Sequence, residues 1–200
     1  MSCKDTPHVL LFLGSGFEDL EAVTIIDVCG WTAYRDHIPD VKVTTTGFHP
    51  EIRGRFGITI KPDIPFDEVV ASDYVAFVLP GGFSSHGYDE VYDPRIYISC
   101  VPFMASTERL PPCASASWLW LSVACLMANE RPLTHSRHDN IAQLRDHGAV
   151  MIDEPVVVDD RIISCQGPAQ TIEVAMRLLD DIIGPEASAE VRHYMMAENI

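Results

Sequence analysis

The chain has no C-x-x-C pair, no Gly-x-Gly-x-x-Gly fingerprint and no Walker-type loop, and it is poor in positive charge. Each absence excludes something. Its six cysteines (Cys3, Cys29, Cys100, Cys113, Cys125 and Cys165) are scattered through 200 residues, enough to build a core without a disulfide framework, so free thiols are expected. His135 and His138 form the only close pair among eight histidines, with no thiolate pair nearby, so no metal site is expected. Without a glycine fingerprint or a Walker loop a nucleotide is not implied, and no cofactor is expected. Only 14 Lys and Arg stand against 29 Asp and Glu, giving a formal net charge of −15 spread along the chain. This argues against nucleic-acid binding, because phosphate recognition needs a concentrated basic surface. No apolar run reaches the roughly 18 residues of a membrane span, and Met1 to His8 lacks the charged and apolar regions of an export signal. Neither membrane anchoring nor export is indicated, and the cytoplasm is the expected compartment. No repeat, low-complexity segment or linker interrupts the sequence, so one domain over residues 1–200 is the default.

What is present reads as alternating strands and helices. His8 to Leu13 is a continuous apolar run ending in Gly14-Ser15-Gly16, the pattern of a parallel strand buried on both faces before a turn into a helix. The helix starts near Glu18-Asp19, whose acids suit a first turn, and its residues Leu20, Val23, Ile26 and Val28 are expected to face a core. Val41 to Gly47 and Gly57 to Asp63 read as strands, and Tyr74 to Leu79 as a central strand stopped by Pro80-Gly81-Gly82. A helix is expected over Pro94 to Ser106, kinked or ended by Pro102. Further strands are expected at Ala149 to Met151, Val156 to Val158 and Ile162 to Cys165, the last two joined by a turn at Asp159-Asp160. Gly167-Pro168 then leads into an amphipathic helix from Thr171 to Ile183, with a short terminal helix from Ala187 to Met196. Strands alternating with helices imply an α/β fold, a mostly parallel doubly wound sheet with helices on both faces, in which ligands bind at the carboxyl ends of the strands.

Three loops at that edge carry unusual residues: Gly16 to Glu21, Pro80-Gly81-Gly82 and Pro112-Cys113-Ala114. Cys113 follows two prolines and opens an apolar stretch at a loop-to-helix junction, where backbone N–H groups and the helix dipole stabilise a thiolate. It is a candidate nucleophile, with an inert core thiol as the alternative. A nearby glutamate hydrogen-bonds such a thiolate only if its own pKa is raised enough for it to hold a proton. Glycines after a strand let backbone N–H groups approach a ligand and form an oxyanion hole. The plain alternatives are a solvated helix start for Glu18, Asp19 and Glu21, and a simple turn for Pro-Gly-Gly.

Taken in order, Gly16-Phe17-Glu18-Asp19-Leu20-Glu21, Val78-Leu79-Pro80-Gly81-Gly82, Cys113, Thr134-His135 and Ile162 to Pro168 resemble the ThiJ/PfpI superfamily, with 31 positions from Gly82 to Cys113 and 22 from Cys113 to His135. The resemblance covers nearly the whole chain and implies a class I glutamine amidotransferase-like, flavodoxin-like fold, a three-layer α/β/α sandwich. It implies Cys113 as nucleophile, Glu21 as the protonated acid beside it, and Gly82 and Ala114 as backbone donors to the oxyanion. Glu18, Gly81, Gly167 and Pro168 would line the same pocket. His135 is similar to a histidine of the branch containing the parkinsonism-associated deglycase, able to shuttle protons. The protease-like branch carries histidine immediately after the nucleophile; Ala114 in that place argues against a peptidase. Relatives reach the nucleophile along a β-branched or alanine-rich strand, whereas this chain has Arg109-Leu110-Pro111-Pro112-Cys113, whose prolines remove ladder donors. A divergent working elbow, a degenerate one and a local reading-frame error all fit residues 98–131.

Two kinds of activity follow from the same thiol, and a third reading dispenses with it. One is a cysteine-dependent hydrolase, glyoxalase-like lyase or deglycase acting on a small carbonyl compound or amide. Another is an oxidative-stress redox sensor or chaperone-like protein using oxidation of Cys113. The third is a catalytically degenerate scaffold. The resemblance also implies a homodimer, with the first helix (Glu18 to Trp31) as contact surface.

Overall fold

The computed structural model of the chain describes residues 6–96, 132–134, 150–159 and 162–198. The sheet is built on β1 (His8–Phe12), which pairs in parallel with β2 (Lys42–Gly47) on one side and with β6 (Ala76–Val78) on the other. Between β2 and β6 the chain makes a two-stranded antiparallel ribbon of β3 (Ile52–Arg53) and β4 (Thr59–Ile60), then adds β5 (Ile64–Pro65) parallel to β2. The strand order is β5-β2-β1-β6. Val9, Leu10, Leu11, Phe12 and Leu13 are all fully buried, as a strand covered on both faces requires.

Helix α1 (Asp19–Gly30) crosses from β1 to β2 and packs against α2 (Thr171–Ile183), which in turn packs against α3 (Pro185–Tyr194). This α/β sandwich is the fold class that the alternation of strands and helices implied. The inward face of α1 differs from the sequence expectation. Val28 is buried with Ala22, Ile25 and Cys29, but Leu20 is 54% exposed and Val23 and Ile26 also reach the surface. The helix is apolar almost all round, so the face that turns inward is set by the two side chains that anchor its first turn, Asp19 and Glu21, both buried.

Among the described residues the remaining strands form two small sheets: β7 (Pro132–Thr134) parallel to β8 (Val150–Ile152), and β9 (Val156–Asp159) antiparallel to β10 (Ile162–Cys165). The strand ending at Cys165 and the helix starting at Thr171 are joined by a short turn of 3-10 helix, Pro168–Gln170. Residues 97–106 of the helix expected from Pro94, the elbow at Cys113 and Ala114, Trp118, Trp120 and His135 all lie outside the described residues.

Candidate functional site at the carboxyl edge of the sheet

Parallel pairing brings the end of β1 and the end of β6 side by side, and the two loops that follow them are stitched together. Glu18 N–H donates to Gly81 O at 2.6 Å, Phe83 N–H donates to Gly16 O at 3.3 Å, and Phe17 and Gly82 form an antiparallel bridge. Gly16 has φ +73°, a left-handed conformation that glycine adopts without strain, and a β-carbon there would overlap the His86 backbone and side chain. Gly82 is under a similar constraint from packing: a β-carbon would run into the Tyr88 ring. Tyr88 is buried and donates its hydroxyl to Pro80 O. A second clamp comes from Glu90, whose Oε1 accepts Ser15 N–H at 2.5 Å while its Oε2 lies 2.8 Å from His49 Nε2.

Glu21 sits in the first turn of α1, against this junction. It is 5% exposed, and its Oε2 accepts Gly81 N–H at 2.5 Å. Burial is the main force on its pKa, opposed by the Gly81 hydrogen bond and assisted by the charge of Glu18, and it stands at about 7. The carboxyl therefore changes protonation near neutrality, the range in which an acid-base group works best. Glu18 is also buried, and its pKa is raised first by burial and then by the charge of Asp19. The acidic first turn is thus not a solvated helix start. Asp19 serves the scaffold instead. Its two carboxylate oxygens accept Phe56 N–H and Ile58 N–H, each at 2.9 Å, and hold the β3–β4 turn against the helix.

The two adjacent glycines play separate parts. Gly81 N–H is committed to Glu21, whereas Gly82 N–H makes no hydrogen bond among the described residues. Gly167 and Pro168 follow β10, where Gly167 O accepts the Cys165 thiol at 3.5 Å and Pro168 O accepts the Thr171 hydroxyl at 2.9 Å. Cys165 is brought near enough to Glu21 to feel its charge; burial first, and that charge second, push its pKa up to about 12. The thiol is therefore neutral and unreactive. Of the candidate residues in the sequence, Glu18, Glu21, Gly81 and Gly82 meet in one place, and Gly167 and Pro168 lie two and three residues beyond the thiol that feels the charge of Glu21. Tyr88, Glu90 and Cys165 join them without having been expected there. Cys165 ends the strand motif, which pointed to its position, while nothing in the Tyr88-to-Tyr92 segment marks it as part of a site.

Known proteins resemble this chain in sequence and in fold. The chain is 24% identical over 196 residues to Protein DJ-1alpha of Drosophila melanogaster, covering 96% of this chain and 85% of the relative. It is 28% identical over 168 residues to Deglycase TK1284 of Thermococcus kodakarensis, covering 80% and 90%. The Protein DJ-1 homolog A of Arabidopsis thaliana matches at 22%, but this chain spans only 46% of its length. Among solved structures, Drosophila melanogaster DJ-1beta superposes with a TM-score of 0.76 at 21% identity, covering 96% of this chain and 98% of that one. Schizosaccharomyces pombe DJ-1 gives 0.76 at 17% identity, covering 94% and 98%. At these identities the structures speak for the fold. The pattern of the DJ-1/PfpI family matches residues 7–181, and the chain belongs to that family.

Proposed function

We propose that the protein is a cysteine-dependent enzyme acting on a small electrophilic carbonyl compound or amide, in the manner of a hydrolase, a glyoxalase-like lyase or a deglycase. The observation that carries this reading is Glu21, a carboxyl buried where the two glycine loops meet and protonated up to about pH 7. A protonated carboxyl there can donate a hydrogen bond to a thiolate without repelling it. In this reading the Cys113 thiolate attacks the carbonyl carbon, the Gly82 N–H, unpaired among the described residues, and the Ala114 N–H stabilise the oxyanion, and Glu21 or His135 moves the proton. The relative named as a deglycase supports a carbonyl substrate. Ala114 after the nucleophile weighs against a peptidase.

The test is alkylation of Cys113 against pH, read by peptide mass spectrometry to separate it from the other cysteines, followed by dicarbonyl and amide turnover. A midpoint well below about 8.5 and turnover lost in Cys113→Ser support the enzyme. Stoichiometric oxidation of Cys113 without turnover would replace it with a redox sensor, and a thiol no more reactive than a peptide's would leave a scaffold. The partner proposed is a second copy of the chain. Leu20, Val23 and Ile26 make an exposed apolar stripe on α1, and Asp19 brings Phe56 and Ile58, also exposed, to the start of that helix. A helix stripe that packs on itself about a two-fold axis covers such a surface at once on both copies.

A further inference from the structure

Arg55 stands in the β3–β4 turn, and several contacts fix its place. Its backbone N–H donates to Phe17 O at 2.9 Å, Gly16 N–H donates to Arg53 O at 2.8 Å, and Asp19 holds the far side of the same turn. Its guanidinium carbon lies 3.3 Å from the centre of the Phe83 ring, and Phe83 follows Gly82 directly. Stacking on a ring face uses the flat side of the guanidinium and leaves the N–H groups at its edge for acceptors in the plane. Arg95, Arg177 and Arg192 each have a carboxylate partner. The Arg55 guanidinium has none among the described residues.

Glu18 is the second half of the arrangement. The residue is 8% exposed and, although it occupies the N-cap of α1, its side chain makes no capping bond; among the described residues its carboxyl has no hydrogen-bond partner. Arg55 is close enough for its charge to lower the Glu18 pKa, yet the two form no direct ion pair. Burial and the Asp19 charge act in the other direction and prevail, so the Glu18 pKa is raised. An unused guanidinium edge and an unpartnered buried carboxyl thus lie close together, next to the glycine loop that holds Glu21.

We propose that Arg55 and Glu18 form a subsite for an oxyanion, the carboxylate or phosphate group of a substrate whose carbonyl end lies at the Glu21 and Gly82 junction. The guanidinium fork takes two oxygens through charge-assisted hydrogen bonds, and Glu18, once it holds a proton, donates to one of them; a neutral dicarbonyl lacks the charge that strengthens the pairing. Which group reacts rests on the proposed function; whether the oxyanion binds does not.

The experiment is an NMR titration of the full-length ¹⁵N-labelled protein with oxamate as a carboxylate probe, inorganic phosphate as a phosphate probe and acetamide as a neutral one. Saturable shifts of the Arg55 side-chain N–H and of the Glu18 and Phe83 amides are expected with an anion and not with acetamide. Tighter binding of oxamate assigns the subsite to carboxylates, and tighter binding of phosphate assigns it to phosphoryl groups. Arg55→Lys, which keeps the charge but loses the fork, is expected to weaken the anion about tenfold, and Arg55→Gln to abolish saturation. No saturable shift with either anion, or the same affinity in a folded Arg55→Gln protein, overturns the proposal. The titration involves no turnover, so an inactive Cys113 leaves its result standing, and an active enzyme that ignores both anions refutes the subsite alone.

Discussion

Replacing Glu21 by glutamine keeps the shape of the side chain and removes its ability to ionise. In the folded protein this carboxyl titrates at about 7, and in an unfolded chain it returns to about 4.5. Between those two pH values the folded state holds a proton that the unfolded state has released. Stability is therefore fully present below 4.5 and is lost as pH rises through 7. At about 1.4 kcal/mol per tenfold difference in proton affinity, the loss from this one group is on the order of 3 kcal/mol. Glu18, also raised, adds a contribution of the same sign. Glu21→Gln removes the larger share while still accepting Gly81 N–H through its amide oxygen. Urea unfolding followed by tryptophan fluorescence, run at about pH 5 and about pH 8, measures it. The variant should gain on the wild type by on the order of 3 kcal/mol between the two conditions. Parallel profiles for the two proteins, or a relative gain below about 1 kcal/mol, would show that Glu21 titrates as an ordinary carboxylate and would remove the main support for its role as a proton carrier.

Asp19→Ala leaves Phe56 N–H and Ile58 N–H without their carboxylate, and the expected cost is about 2 kcal/mol in urea unfolding; an unchanged midpoint would mean that the turn is held by other contacts. Thr46 is fully buried in β2 and its hydroxyl has no hydrogen-bond partner among the described residues, so Thr46→Val, of the same shape, should stabilise the fold by about 1 kcal/mol, and destabilisation would refute the orphaned hydroxyl. Val23→Glu places a charge in the exposed stripe of α1. Analytical ultracentrifugation should show a wild-type dimer and a monomeric variant; a wild-type monomer, or a dimer indifferent to the substitution, sinks the proposed contact.

The strands that the sequence announces are those whose signal is local. β1 is a continuous apolar run between a polar start and a glycine turn; β9 and β10 are short runs rich in Val and Ile, with Asp159, expected in the turn, paired with Ile162 at the end of β9; and α2 carries its apolar residues on one face before Gly184 ends it. The β3 and β4 strands, two residues each, are too short for any alternation to register, so the hairpin that carries Arg55 reads as a loop followed by a strand. The orientation of α1 escapes the sequence for a related reason. A helix with apolar side chains on most sides has no periodicity from which to choose a face, and the choice falls to Asp19 and Glu21, which bind the β3–β4 turn and Gly81.

The same division holds at the site. The order of motifs is enough to select Glu18, Glu21, Gly81 and Gly82, because parallel strands carry their following loops to a common edge. The burial that raises the Glu21 pKa, the neutrality of the Cys165 thiol and the stacking of Arg55 on Phe83 belong to the tertiary structure alone. Each depends on how much water remains around a group and on which groups come near it, and residues far apart in the chain decide both. By itself the sequence determined the family and those elements, such as β1, β6 and α2, whose signal is a local pattern. Only folding decided which acids are dry and which donors remain unused, because desolvation and pairing are properties of what packs against a residue and not of its neighbours along the chain.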